Sequence, residues 1–176
     1  MTNAPADSPV SRIVVMGVSG SGKSLIGSAL AARLGWAFVD ADDLHPVANV
    51  AKMTAGTPLT DDDRWPWLDI VAQTLAASGT GMVIACSALR RAYRDRIRTQ
   101  APDAVFLELV GTPELLAARV SGRTAHFMPV SLLASQLATL ESLGDDERGA
   151  LVDIDGTPGE VLERAIAAVA AVGEAG

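Results

Sequence analysis

The sequence predicts an α/β fold: a five-stranded parallel sheet with helices on both faces. Three observations predict it. Short apolar, β-branched runs alternate with stretches of helical spacing along the whole 176-residue chain. Those runs are apolar almost throughout, as strands covered on both faces are. Polar residues suited to chemistry fall just after the runs, where open parallel sheets hold their ligands.

The elements follow in order. Arg12-Ile13-Val14-Val15-Met16 is the first strand, and Leu25 to Leu34 is a helix with Ile26, Leu30 and Leu34 on one face. Gly35 stops that helix. Trp36 to Val39 is the second strand, ending at Asp40. Asp42-Asp43 open a helix over about Leu44 to Ala55, which Gly56 and Pro58 terminate. Asp61-Asp62-Asp63 cap the next helix, with Pro66 in its first turn, and it runs to about Ala77. Met82 to Cys86 is a strand, Leu89 to Thr99 an Arg-rich helix, and Ala104 to Val110 a strand. Thr112-Pro113 starts another helix. Gly122 to Pro129 breaks the periodicity, and Val130 to Leu140 is helical again. Leu151 to Ile154 is the last strand, and Thr157-Pro158 caps a final helix ending near Val172.

Composition bounds the function. Apolar residues make up 49% and charged ones 20%, which is a globular balance. The chain reads as one domain, residues 1–176, with a loose tail over 1–11 and a lid segment over about 122–130. A net charge of −7 argues against a nucleic-acid partner. No apolar run approaches the roughly 20 residues of a membrane helix, so no membrane partner is expected. Cys86 is the single cysteine. A chain without internal disulfides or an N-terminal leader pattern is expected in the cytoplasm.

The first strand runs into Gly17-Val18-Ser19-Gly20-Ser21-Gly22-Lys23-Ser24. This fits G-x-x-x-x-G-K-[ST], the phosphate-binding P-loop, in its strand-to-helix context. Glycines let the backbone curl so that N–H groups point inward at a polyphosphate. The helix N-terminus adds a partial positive charge. Lys23 is placed to reach the β/γ-phosphates and the Ser24 hydroxyl to hold Mg²⁺. Of 14 basic residues 12 are arginine, yet the P-loop position keeps its lysine, a compact point charge.

Asp40 and Asp42 follow the second strand at a spacing that turns both carboxylates toward the P-loop. Asp40 suits the Mg²⁺ shell and Asp42 the proton of an acceptor hydroxyl. Helix capping is the competing role for both. Arg64 can pair locally or reach a substrate carboxylate. Arg90 is the arginine of its helix nearest a strand end. Arg119 and Arg123 flank the start of the aperiodic segment, where an arginine can neutralise a transferring phosphate. His45 and His126 lie in these special segments. Asp155 follows the last strand.

Several runs together are similar to the bacterial gluconate kinases. They are Met16 to Ser24, Asp40-Ala-Asp-Asp-Leu-His-Pro46, Asn49-Val-Ala-Lys-Met53, Gly56-Thr-Pro-Leu59 and Asp61-Asp-Asp-Arg64 through Pro66-Trp-Leu68. Cys86-Ser-Ala-Leu89, Tyr93-Arg-Asp95, His126-Phe127, Ser135-Gln136 and Thr139-Leu140-Glu141 continue the match. The resemblance covers nearly the whole chain. It implies the P-loop kinase fold, ATP-dependent phosphorylation of D-gluconate to 6-phospho-D-gluconate, ATP and Mg²⁺ as cofactors, and a homodimer.

Mapped onto this chain, Lys23, Asp42 and Arg123 are the catalytic candidates. Gly17, Ser19, Gly20, Ser21, Gly22, Lys23, Ser24, Leu25, Arg119, Arg123 and Asp155 are candidates for the nucleotide. Asp42, His45, Lys52, Arg64, Arg90 and His126 are candidates for the sugar acid, and Ser24 and Asp40 for the metal. Two departures stand out: Ala41 where the family has glycine, and Thr124-Ala125 where it often has Lys-Gly. The first is expected to narrow the sugar site, the second to weaken lid closure. Two other readings stay open at this stage. One is a related P-loop kinase for shikimate or a nucleoside monophosphate; the other is a nucleotide-binding switch without turnover.

Overall fold

The computed structural model describes residues 10–122 and 130–175. Arg123 and His126 lie outside the described residues, as does the lid segment from 123 to 129.

The sheet has five parallel strands in the order β2-β3-β1-β4-β5. These are β1 (Arg12–Met16), β2 (Ala37–Asp40), β3 (Met82–Ala85), β4 (Val105–Val110) and β5 (Gly149–Asp153). The helices are α1 (Lys23–Leu34), α2 (Val47–Thr54), α3 (Asp61–Ala76), α4 (Arg91–Arg98), α5 (Pro113–Ser121), α6 (Val130–Thr139) and α7 (Pro158–Glu174). In-register pairing of Val15 with Ala85 and Leu107, and of Asp40 with Ala85, aligns the carboxyl ends of the strands along one edge.

Successive strand side chains point to opposite faces, so each buried strand feeds two cores. Ile13 and Val15 of β1 pack with Ile26 and Leu30 of α1 and with Val161 and Ala165 of α7. Val14 and Met16 pack with Trp67, Leu68, Val71 and Leu75 of α3 and with Tyr93 and Ile97 of α4. This double burial is why the strands read as unbroken apolar runs.

The termini agree with the local chemistry in most places. Gly35 is left-handed at φ 70° and closes α1. Thr112 and Thr157 cap α5 and α7 through their side chains, each followed by proline. Three expectations need correction. The single helix over 44–55 is two pieces: a 3₁₀ turn over Ala41–Leu44, then α2 from Val47. Pro46 holds His45 extended at φ −63° and ψ 134°, which ends the first piece. The cap of α3 is Thr60, in a reciprocal box with Asp63, and Pro66 falls in the second turn. β5 begins at Gly149, two residues early, because Arg148 O already accepts from Phe106 N–H on β4.

Candidate active site

The P-loop joins β1 to α1 through glycines that nothing else fits. Gly17 has φ 148°, and a Cβ there would meet Ser21 Oγ at 2.8 Å and Leu109 O at 3.1 Å. Gly20 has φ 81°, and its Cβ would meet Val120 Cγ2 at 2.9 Å and Leu116 O at 3.0 Å on α5. The loop is therefore pressed between β4 and α5. Gly22 is the N-cap of α1 and no side chain caps the helix. A helix leaves its first N–H groups without intrahelical acceptors, so this end is ready for an anion. Gly17 N–H donates to Ser87 O at 3.4 Å, and Ser19 N–H to Gln136 Oε1 at 2.6 Å. Ser21 is buried inside the loop and faces Gly17.

Beside the loop lies an open cavity of about 400 Å³. Gly20, Ser21, Gly22, Leu25 and Ile26 form one wall; Arg119, Gly122, Pro158 and Val161 close it. The Arg119 Nη2 donates to Ile154 O at 2.7 Å, which lays its side chain across from α5 to the end of β5. The candidates Leu25 and Arg119 thus meet here. Asp155 is exposed and outside the lining; its N–H donates to Asp153 Oδ1 at 2.8 Å. Pro158 and Val161 line the cavity in its stead, and their helical positions gave no signal beyond core packing.

On the other side of the loop, Ser24 Oγ donates to Asp40 Oδ2 at 2.5 Å. Asp40 Oδ1 accepts from Asp42 N–H at 3.0 Å, so Asp40, not Asp42, caps the 3₁₀ turn. This leaves the Asp42 carboxylate turned to the cleft near Lys23, Asp40 and His45. Desolvation there, then the Asp40 charge, pushes the Asp42 carboxyl up from its ordinary 3.8, with Lys23 and His45 opposing. A hydroxyl donating to a carboxylate keeps its lone pairs for a cation, and hard oxygens are the ligands Mg²⁺ takes. Ser24 and Asp40 therefore fit Mg²⁺ and are the residues that would hold it.

His45 stacks on Trp67, ring centroids 4.2 Å apart. Its Nδ1 accepts from the Asn49 amide at 3.2 Å, so Nε2 carries the proton. Burial lowers its pKa from 6.5, Asp42 opposing and Arg64 assisting, which favours the neutral ring. The Asn49 amide also donates to Asp63 O at 2.9 Å, and Trp67 Nε1 to Ala41 O at 2.7 Å. Lys52 Nζ holds both Asp63 oxygens at 2.7 and 2.8 Å, and these bonds bring the Asp63 carboxyl down to about 2. Lys52 thus ties α2 to the start of α3. Ala41 is fully buried with Val14, Met16 and Trp67. Its methyl fills core space, which corrects the expectation that it narrows the sugar site.

Arg64 and Arg90 come together around Asp61 and Tyr93. Arg64 Nη1 lies 3.3 Å from Asp61 Oδ1, and Arg90 Nη1 lies 3.4 Å from Asp61 Oδ2. Tyr93 OH donates to Asp61 Oδ1 at 2.5 Å, and that bond leads the lowering of the Asp61 pKa. Arg90 is set by the tight turn before α4. Ala88 there takes a left-handed φ of 43°, and its carbonyl accepts from Arg94 Nη1 at 3.1 Å. Arg94 is fully buried and forks onto Glu147 with two bonds of 2.8 Å. Sequence reasoning placed Asn49, Trp67, Tyr93, Arg94 and Gln136 in the runs similar to the family and Asp61 in a helix cap, but gave none of them a role in the site.

The arrangement is a cleft with the glycine-rich loop at its centre, the cavity of about 400 Å³ on one side and Asp40, Asp42, His45, Arg64 and Arg90 on the other. A family model described as an AAA domain matches residues 13–143. The gluconokinase of Gluconobacter oxydans (strain 621H) is 48% identical over 157 residues, 88% of each chain. The thermosensitive gluconokinase of Escherichia coli (strain K12) is 44% identical over 164 residues, 90% of this chain and 87% of the relative. The crystal structure of a gluconokinase from Sinorhizobium meliloti 1021 superposes with a TM-score of 0.88 at 47% identity, covering 96% of this chain and 95% of that one.

Proposed function

We propose, for a chain that belongs to the gluconokinase family, the ATP-dependent phosphorylation of D-gluconate to 6-phospho-D-gluconate. The observation that carries this reading is the 48% identity to a gluconokinase across 88% of both chains. The cleft supports it chemically. A P-loop kinase does little covalent chemistry; positioning and charge stabilisation supply the rate.

The geometry and the family resemblance support the following division of labour. The N–H groups of the loop and of the start of α1 receive the phosphates, with Lys23 on the terminal ones. The cavity lined by Leu25 and Arg119 takes the adenine. Ser24 and Asp40 hold Mg²⁺, which when bound neutralises charge on the phosphates. Asp42 accepts a hydrogen bond from the attacking hydroxyl and takes its proton late. Neutral His45 donates from Nε2 to the sugar chain. Arg64 and Arg90 meet the carboxylate, for which a planar guanidinium is the better match. Arg123 and His126 are proposed as lid contacts to phosphate and sugar on the family resemblance. Lys52 acts through Asp63, and Asp155 through the backbone turn after β5.

The same reading makes the chain a single kinase domain that works as a homodimer in the cytoplasm. Among the described residues no helix is long and apolar enough to cross a membrane. Light scattering on the purified chain tests the dimer. The central experiment measures ADP release with gluconate, shikimate and AMP side by side. Gluconate should be the one acceptor that is turned over; faster turnover of shikimate or AMP overturns the reading.

A further inference from the structure

Ser19 N–H, in the middle of the phosphate loop, donates to Oε1 of Gln136 on α6 at 2.6 Å. Two other amides of the loop bond to backbone carbonyls: Gly17 N–H to Ser87 O and Ser21 N–H to Val18 O. At Ser19 the partner is instead a side chain from another element. A carboxamide is planar, with an acceptor at one end and two N–H donors at the other. With Oε1 on Ser19, the two N–H donors of Nε2 lie beside the loop, within a carboxamide's width of that contact. Ser19 is also outside the lining of the base-sized cavity, which begins at Gly20. Gln136 therefore meets the loop on the arm away from the base.

Its position is firm. Leu133 of α6 is buried. About one turn beyond Gln136, Glu141 N–H donates to Leu89 O at 2.7 Å and Glu141 Oε2 accepts from Arg91 N–H at 2.6 Å. Ser142 Oγ and Leu143 N–H both donate to the buried Glu108 carboxylate on β4, each at 2.8 Å. A side chain fixed by such a frame needs little ordering to bind.

We propose that Gln136 is a ligand of the terminal phosphate of the nucleotide. Oε1 stays on Ser19 while Nε2 donates to an oxygen that a diphosphate lacks. The inference rests on the reading of this loop as an ATP site. Its signature is discrimination between tri- and diphosphate, which a contact that merely shapes the loop would not produce.

The test measures affinities of ADP and of a non-hydrolysable ATP analogue for wild type, Gln136→Ala and Gln136→Glu, with melting temperatures. Gln136→Glu keeps the acceptor for Ser19 and the shape of the side chain, so it separates the lost donor from a loosened loop. Analogue affinity should fall about 10- to 100-fold in both variants, the range of one hydrogen bond to a charged group, while ADP affinity holds. Equal losses for both nucleotides, or no loss, overturn the proposal. So does a loss confined to Gln136→Glu, which charge repulsion alone explains. No acceptor sugar enters the measurement. A wild type that binds both nucleotides but leaves gluconate untouched would sink the functional reading and keep this test intact.

Discussion

Arg64 and Arg90 converge on one tyrosine: their guanidinium carbons lie 5.7 and 5.9 Å from the centroid of the Tyr93 ring. Each also reaches a different oxygen of Asp61, at 3.3 and 3.4 Å. These are long, partly exposed contacts, of the kind worth little to stability. Two forks are thus held together and pre-aimed while remaining available to another carboxylate. Arg64→Lys should raise KM for gluconate roughly tenfold, the loss of about one charged hydrogen bond, with kcat little changed. Steady-state kinetics check this, with glucose as the control acceptor. If glucose is phosphorylated as well as gluconate, the arginines do not read a carboxylate.

Asp42→Asn should lose roughly 10²–10⁴-fold in kcat, the usual range for a positioned acid–base group. Melting temperature and ATP affinity should hold, because Asp40 supplies the cap of the 3₁₀ turn. The raised Asp42 pKa adds a pH signature. The proton acceptor is lost below its pKa in the free enzyme, so the acid limb of kcat/KM should lie above the ordinary 3.8 and vanish in the variant. An unchanged kcat would move the search for the base to His45.

Asp40→Asn should separate metal from fold. Asparagine caps about as well as aspartate, so stability should stay. The lost charge beside Ser24 should raise the Mg²⁺ concentration needed for half-maximal rate. A Mg²⁺ titration of the variant at saturating ATP measures the shift; an unmoved titration curve would remove Asp40 from the metal shell.

Glu147→Gln should destabilise the fold by about 3–5 kcal/mol, since it strands the fully buried Arg94. Denaturant unfolding of Glu147→Gln and of the apolar pair Arg94→Met with Glu147→Leu checks it; the pair should recover much of the loss. Burial alone would raise the Glu147 carboxyl. Hydrogen bonds from Arg94, Gly144 N–H and Arg98 outweigh it and bring it from 4.5 down to about 2. A carboxyl lower in the folded than in the unfolded chain favours folding above 4.5 and loses that contribution as pH falls toward 2. Wild type should therefore lose stability across that window more steeply than Glu147→Gln.

The fold was legible because its signals are local. Unbroken apolar strand runs, the Thr112-Pro113 and Thr157-Pro158 caps and the glycines of the P-loop each need only neighbours. The break at His45-Pro46 was misread: a residue before proline avoids helix, yet the aspartates ahead of it read as the start of one longer helix. The site was legible where it follows strands, as at Ser24, Asp40 and Asp42. It was opaque where function depends on distant partners. Nothing near Gln136 points to Ser19, and nothing near Asn49 reveals that one amide serves both His45 and Asp63. The Ala41 methyl was misjudged for the same reason: which way a residue faces after a strand is decided by Trp67, far along the chain.

The strand order has a consequence for how such a protein can change. β1 sits at the centre, with β3 and β2 to one side and β4 and β5 to the other. Of the residues proposed for the acceptor, Asp42, His45, Arg64 and Arg90 belong to the β2–β3 half, while His126 falls between β4 and β5 in sequence; the walls of the proposed base cavity beyond α1 come from α5 and α7, on the β4–β5 half. On that assignment the two specificities are written largely in separate stretches of sequence joined by the P-loop and its helix. A library for a new acceptor would then cover residues 40–98 and position 126, with the rest of the nucleotide half left untouched as an inherited engine.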